Sequence, residues 1–178
     1  NQLNAIRATK LKIDALHCQQ EYENAEQAQK DAAAAAKEAE DLERGNEAIR
    51  QLCGKHANGY RSPSWDLSPN TIKLLLQQGF VYDSSMMGND HLPYWARVGD
   101  VIHKDQPVDF GQPSELLEMP ISWTLDDYPY FEFVREKSGI LPGLAAAKGV
   151  LENWLNDFSY MTATENWGVL TYTFHPFV

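Results

Sequence analysis

The 178-residue sequence predicts a mixed α/β fold with a helix-rich N-terminal segment. Residues 1–53 contain no proline and a single aromatic residue, and they are rich in alanine, glutamate and glutamine, which favours a helix. From Lys55 onward, helix-like and strand-like apolar segments alternate and are separated by glycine and proline, which is typical of an α/β domain. The composition therefore divides the chain into a helix-rich segment, 1–54, and an α/β region, 55–178.

The overall totals argue against several classes of function. A net charge of −10 argues against binding to a nucleic-acid backbone, which needs a basic face. No apolar run approaches the 18 residues or so of a membrane-spanning helix. Cys18 and Cys53 are far apart and lack CxxC spacing, so neither a disulfide framework nor a zinc finger is indicated. Nothing at the start of the sequence resembles a signal peptide, and we expect a cytoplasmic location.

The helix-rich segment leaves two points open. Residues 10–16 alternate between polar and apolar side chains well enough to form a strand instead of a helix. The five alanines at 32–36 carry no packing information, so they fit either a solvent-facing helix or a poorly determined stretch of sequence. Gly54 suits the position that follows the last turn of a helix.

The α/β region begins with a helix–glycine–strand unit. Ser68 followed by Pro69 is a typical start for a helix, here at 71–78, and Gly79 ends it before a short buried strand at 80–83. The later segments are, in order, a long connection, a second strand, an amphipathic helix and a final strand: 84–109, 117–123, 144–158 and 169–174.

Polar side chains at the predicted strand ends form a candidate site, because sites in α/β folds assemble at the carboxyl ends of parallel strands. Arg61, Asp83 and His175 each follow a predicted strand. Pro63 forces the preceding residue into an extended conformation and so holds Arg61 and Trp65 on stiff backbone. Each residue also has an ordinary alternative: a rim ion pair for Arg61, a turn for Asp83 and a structural role for His175.

A further strand end carries an indole and two carboxylates. Trp123 is followed closely by Asp126 and Asp127. Paired acids suit acid–base chemistry or a metal site, although an exposed pair in a loop is the commoner case.

Five ordered motifs give these residues a context. The motifs are Gly-Tyr-Arg-Ser-Pro-Ser-Trp at 59–65, Gly-Phe-Val-Tyr-Asp-Ser-Ser-Met-Met at 79–87, Asn-Asp-His-Leu-Pro-Tyr at 89–94, Glu-Met-Pro-Ile-Ser-Trp-Thr-Leu-Asp-Asp at 118–127 and Thr-Phe-His-Pro at 173–176. The segment 59–178 thereby resembles the polysaccharide deacetylase (NodB-homology) family. It is most similar to the branch of Helicobacter-type peptidoglycan deacetylase, cyclic imidases and cofactor-independent allantoinases.

The resemblance implies a partial or distorted (β/α) barrel of NodB type whose site lies at the strand C-termini. It also implies hydrolysis of an amide, N-acetyl or cyclic imide C–N bond with a divalent metal, for which zinc suits a His/Asp ligand set. The substrate would be a glycan or a small molecule, and the protein a homo-oligomer. The implied roles are orientation of a catalytic aspartate by Arg61, general acid catalysis by His175, support of Arg61 by Asp83, and substrate contact by Trp65, Trp123 and Tyr94.

The N-terminal motifs of the family are degenerate or absent here. The Asp pair that supplies the catalytic base has no counterpart, and the closest stretch to the His-x-x-x-His motif offers His17 and Glu21 as metal ligands. A helix-surface pair is the alternative for these two. We therefore expect the 178 residues to be part of a hydrolase and inactive alone, with barrel edges completed by missing segments or a partner chain. The alternative is a non-catalytic glycan-binding or interaction protein of the same fold.

Overall fold

The computed structural model describes residues 2–137, 139–141 and 143–178, and it confirms the mixed α/β content. The helices are α1 (Gln2–Cys53), α2 (Thr71–Gln77), α3 (Tyr128–Phe131) and α4 (Ala147–Thr164), with short 3₁₀ turns at Pro63–Trp65 and Trp123–Leu125. The strands are β1 (Gly59–Tyr60), β2 (Tyr82–Asp83), β3 (Tyr94–Val98), β4 (Gln112–Glu118), β5 (Val134–Glu136) and β6 (Gly139–Leu141).

The main sheet has four strands in the order β1-β2-β4-β3. β1, β2 and β4 are parallel, with Tyr60 opposite Asp83 and Asp83 opposite Glu118, whereas β3 runs antiparallel to β4. β5 and β6 form a separate antiparallel pair. Because the parallel strands end at one edge, the residues that follow them are brought together there. The sheet is open, and no closed barrel is formed within the described ranges.

A small core joins the two predicted regions. Leu42 of α1 and Leu75 of α2 pack with Phe80, Ala96 and Leu116 of the sheet region. Much apolar surface stays outside this core, including Trp95, Leu151, Leu155, Trp167, Phe174 and Phe177. Exposed apolar surface on this scale is typical of a face that another segment or chain covers. The predicted completion of the sheet edges stays a prediction.

The first helix is continuous through the point that the sequence left open. Residues 10–16 lie within α1, so the alternative of a strand there is wrong. Helix formers on both sides extend the hydrogen-bond ladder through this stretch at little cost. Near its end, α1 attaches to the rest of the chain: the Glu38 carboxylate accepts hydrogen bonds from the hydroxyls of Ser68 and Thr71 at the start of α2. No helix of the described chain is long and apolar enough to cross a membrane.

Three of the predicted strand and loop assignments need correction. The strand predicted at 117–123 is β4, which ends at Glu118 because Pro120 has no N–H group to continue the ladder. The long connection at 84–109 contains β3. The final strand predicted at 169–174 reduces to a single parallel bridge between Thr173 and Asp126, because the opposing segment turns into short helices. α2 and α4 confirm the helices predicted at 71–78 and 144–158, with shifted ends for α4.

Candidate functional site

The candidate site is a cleft of about 690 Å³ beside the carboxyl edge of the parallel strands. It is lined by residues from three separate segments, among them Trp65, Trp123, Asp126, Tyr128, His175 and Phe177. We call it the aromatic cleft, because most of these side chains are aromatic rings. Its walls join the corner after β1, the turns after β4 and the C-terminal segment.

Two indoles form one wall of the aromatic cleft. The ring centroids of Trp65 and Trp123 are 4.1 Å apart, with an interplanar angle of 45°. Ser64 and Trp65 have φ values of 53° and 60°, a left-handed conformation that non-glycine residues rarely adopt. Such strain persists where the surrounding structure imposes it, often at binding sites. The family motifs predicted that both tryptophans contact the substrate. The structure brings the two indoles together. Their contact with a substrate stays a prediction.

His175 is fixed from two sides by one carboxylate. Its Nδ1 lies 2.6 Å from Oδ1 of Asp127, and its backbone N–H donates to Oδ2 of the same residue over 2.9 Å. The rings of Tyr128 and Phe177 each have their centroid 5.3 Å from that of His175, and they also contact each other, with centroids 6.4 Å apart. Asp127 is buried, so water does not compete for its oxygens. The imidazole therefore has a set position and a set hydrogen-bond partner at Nδ1.

Asp126 supplies a second buried carboxyl group beside the histidine. Its Oδ1 accepts the backbone N–H of Tyr128 over 2.7 Å and lies 3.8 Å from Nδ1 of His175. Burial raises the pKa of Asp126 above its ordinary value, and the adjacent charge of Asp127 adds to this. The Tyr128 N–H and the positive charges of His175 and Arg61 act in the opposite direction. Both aspartates were predicted from the sequence as a pair of acids, but their contacts with His175 were not.

Arg61 connects the cleft to the sheet. Its Nε and Nη2 donate to the backbone carbonyl and the hydroxyl of Ser84, over 3.0 and 2.8 Å. Its Nη1 donates to Oγ1 of Thr173 over 3.3 Å, two residues before His175. Arg61 bonds Ser84 and not Asp83, which faces Glu118 in the buried sheet. The predicted support of Arg61 by Asp83 stays a prediction.

Tyr94, predicted to contact substrate, lies apart from the aromatic cleft. It is on β3, opposite Glu118, and its hydroxyl accepts the backbone N–H of Gly88 over 2.9 Å. That bond closes the turn before β3, which is a structural role. The prediction of a substrate contact gains no support from this placement.

Among the side chains that the structure describes, potential metal ligands group at the cleft. Asp126, Asp127 and His175 each offer one ligand atom, all within 4.8 Å of one another. His17 and Glu21, the predicted ligands, are exposed on α1, and no third ligand joins them among the side chains that the structure describes. Their role as ligands stays a prediction.

Nδ1 of His175 and Oδ1 of Asp127 do not fit as two ligands of one ion in the present arrangement. Two ligands of one tetrahedral zinc ion lie about 3.3 Å apart, given bond lengths near 2.0 Å. These two atoms are 2.6 Å apart and already bonded to each other. An ion held by this pair of atoms would have to break the bond that fixes the histidine.

Comparison with known proteins agrees with the motifs and the fold. No protein-family model matches the chain. The peptidoglycan deacetylase of Helicobacter pylori is 35% identical over 152 residues, covering 79% of this chain and 52% of that protein. A solved chain described as a polysaccharide deacetylase from Mycobacterium smegmatis matches with a TM-score of 0.63 at 35% identity, covering 80% of this chain and 44% of that one. The chain belongs to the NodB-type polysaccharide deacetylase family.

A more distant relative extends the same family relationship to fungi. A peptidoglycan deacetylase-like protein of Gibberella zeae is 28% identical over 127 residues, which cover 66% of this chain and 36% of that protein. This NodB-type chain thus spans about half the length of the Helicobacter relative and about a third of the Gibberella one. The partial sheet of the structure accords with a chain that matches only part of longer relatives.

Proposed function

We propose that the intact protein is a hydrolase that removes N-acetyl groups from a polysaccharide, with the aromatic cleft as part of its active site. The observation that carries the proposal is the Asp127–His175 pair beside the two indoles. A histidine held by a carboxylate at one ring nitrogen is typical of general acid–base catalysis, and stacked aromatic faces suit a sugar ring. The names of the relatives support a deacetylase.

In this proposal His175 is the general acid. The Asp127 carboxylate at Nδ1 fixes the proton on that nitrogen and leaves Nε2 to exchange a proton with the substrate. When water adds to the acetyl carbon and the C–N bond breaks, the electron pair stays on the sugar nitrogen. His175 Nε2 donates the proton that completes the amine, and acetate is the second product. The imidazolium is stabilised by Asp127 and by the nearby carboxyl of Asp126.

The water-activating base is not assigned to a residue of the cleft, and His17 and Glu21 stay the predicted metal ligands. A divalent ion, with zinc as our proposed identity, supplies Lewis-acid polarisation of the acetyl carbonyl when bound. We assign no ion to the cleft cluster, because its geometry serves the histidine. The opening of a cyclic imide or amide uses the same bond chemistry and is the alternative reaction. Homo-oligomer formation and a cytoplasmic location stay proposals without a structural argument.

Acetate release by the intact protein tests the role of His175. The substrates are N-acetylated peptidoglycan fragments and chitin oligosaccharides. For the alternative reaction the substrate is a cyclic imide, and ring opening is measured in place of acetate release. Because general acids contribute about 10²–10⁴-fold to rate, His175→Gln should lower kcat by at least about 100-fold. His103→Gln, on a histidine outside the cleft that pairs with Asp109, is the matched control. Full activity of His175→Gln would contradict the proposed mechanism.

A non-catalytic glycan-binding protein is the second candidate, and the Trp65–Trp123 wall favours it as well. Calorimetric titration of the intact protein with chitin oligosaccharides, combined with a measurement of acetate release, separates the two. Binding by the intact protein without acetate release, lost in Trp65→Ala, would support the binding protein over the enzyme.

A further inference from the structure

Two fully buried carboxyl groups lie side by side in the sheet. Asp83 of β2 and Glu118 of β4 are register partners on neighbouring parallel strands, and each is 0% exposed. One oxygen of each side chain is bonded. Oδ1 of Asp83 accepts the Ser85 hydroxyl over 2.9 Å, and Oε1 of Glu118 accepts the backbone N–H groups of Ser85 and Met86, both over 2.8 Å.

The other two oxygens have no separate donor. Oδ2 of Asp83 and Oε2 of Glu118 are buried and have no hydrogen-bond partner. If both carboxyl groups were ionised, neither oxygen could donate to the other. Buried groups of this kind are costly unless they are hydrogen-bonded. A single proton turns one of these oxygens into a donor and the other into its acceptor. One proton thus satisfies both orphan oxygens and removes one of two adjacent negative charges.

The electrostatic surroundings favour Glu118 as the holder of that proton. Burial, followed by the charge of Asp83, raises the pKa of Glu118 to about 8. Burial also raises the pKa of Asp83, but the bonds from Ser85 and Glu118 oppose this rise. Of the neighbouring elements, β3 contributes the phenol of Tyr94, whose pKa is itself raised by burial and by both carboxyl charges. α2 contributes the uncharged Leu75 to the same core.

Hydrogen bonds connect the carboxyl pair to the 61–65 corner, which carries Arg61. Glu118 fixes the backbone of the 84–86 turn through Ser85. Within that turn, the Ser85 hydroxyl accepts the backbone N–H of Ser62 over 2.9 Å, and Ser84 accepts two bonds from the Arg61 guanidinium. Each step is a direct hydrogen bond. The carboxyl pair is therefore linked by hydrogen bonds to the 61–65 corner, which carries Trp65 of the indole wall.

We propose that Asp83 and Glu118 share one proton and act as positioning residues for Arg61 and for the 61–65 corner. The positioning role rests on the proposed function, whereas the shared proton does not. Loss of the proton places two charges in the buried sheet, so the 84–86 turn and the corner it holds should shift. The folded protein holds this proton between the ordinary pKa of glutamate, 4.5, and about 8, whereas the unfolded chain releases it. Stability should therefore be complete near pH 4.5 and fall as the pH rises towards 8.

Glu118→Gln is the decisive variant, because its amide replaces the protonated carboxyl. The side-chain N–H can donate to Asp83, and the carbonyl can still accept from Ser85 and Met86. Glu115→Gln, on the same strand at an exposed position, is the matched control. Infrared spectra of the 178-residue protein should show a protonated buried carboxyl at pH 7 in the wild type and in Glu115→Gln, with a titration midpoint near pH 8. The band should be absent in Glu118→Gln.

Tryptophan emission reports the positioning role. The wild type and Glu115→Gln should show a spectral shift with the same midpoint, and Glu118→Gln should show none. In the intact enzyme, the alkaline limb of kcat against pH should flatten in Glu118→Gln. A wild-type protein without the carboxyl band at pH 7 would overturn the shared proton. If Glu118→Gln retains the alkaline shift in emission, the positioning role is overturned.

If Glu118→Gln does not fold, Asp83→Asn replaces it, since removal of the neighbouring charge should lower the midpoint of the Glu118 carboxyl. An unchanged midpoint in Asp83→Asn would contradict the pair. The infrared and emission measurements use no substrate. Their failure leaves the deacetylase proposal intact, and an inactive enzyme leaves the shared proton intact.

Discussion

The two bonds from His175 to Asp127 should make a large contribution to the free energy of unfolding. A hydrogen bond to a charged group contributes about 1.5–3 kcal/mol, so two such bonds set a limit of roughly 3–6 kcal/mol. The His175 side chain is 30% exposed, so water replaces part of the ring bond in Asp127→Ala. Loss of the Asp127 charge also relieves buried Asp126. The expected loss for Asp127→Ala is therefore about 2–4 kcal/mol, below that limit.

Asp127→Asn separates the geometry of the two His175–Asp127 bonds from the charge of the carboxylate. The amide oxygen keeps one acceptor for the His175 backbone N–H, so the expected loss is about 1–2 kcal/mol. Asp105→Ala, at an exposed loop position, is the control and should lie within about 0.5 kcal/mol of the wild type. Urea unfolding at pH 7, followed by tryptophan emission, measures all three variants. Equal stability of Asp127→Ala and Asp105→Ala would refute the expected contribution of the two His175–Asp127 bonds to stability.

Four further substitutions test other contacts. Gly111→Ala should destabilise the protein by about 1–3 kcal/mol, because a Cβ there meets the backbone at the end of β3. Gly45→Ala should instead stabilise the protein by up to about 1 kcal/mol, because Gly45 lies inside α1 with open space around it. Trp65→Ala should shift the emission of the remaining indoles to the red, because Trp123 loses its stacked neighbour. Glu38→Ala should cost about 1–3 kcal/mol, because two hydroxyls at the start of α2 lose their acceptor.

Each of these has a clear contrary result. Chemical unfolding that ranks Gly45→Ala below Gly111→Ala would contradict the packing described around β3. An unchanged emission maximum in Trp65→Ala would mean that the two indoles are apart in solution. Wild-type stability of Glu38→Ala would mean that the two hydroxyl bonds to Glu38 do not contribute to the attachment of α1.

Local signals in the sequence predicted the elements that are stabilised locally. α2 was correctly predicted because a start signal, an apolar face and a terminating glycine lie within a dozen residues. β3 was missed because the glycines and prolines around it indicate a loop, whereas its pairing with β4 depends on residues about twenty positions away. The strand predicted at 169–174 has strand-forming residues but only one bridging partner, at Asp126.

The sequence predicted several of the residues that lie at the cleft, but it did not predict the contacts between them. Motif order identified Arg61, Trp65, Trp123 and His175, all of which lie at or beside one cleft. The partner of His175 could not be read from the sequence, because Asp126 and Asp127 are equivalent there. Only the backbone turn at the start of α3 decides which carboxylate meets the ring.

The bonds that assemble the cleft have a consequence for the order of folding. Arg61 reaches Ser84 across 23 positions, but it reaches Thr173 across 112. Closing the longer loop costs about 1.4 kcal/mol more in chain entropy. Contacts of long sequence separation also form late. During synthesis, the parallel strands and the Arg61–Ser84 contact can therefore form early, whereas the cleft stays open on one side until residues 173–178 dock.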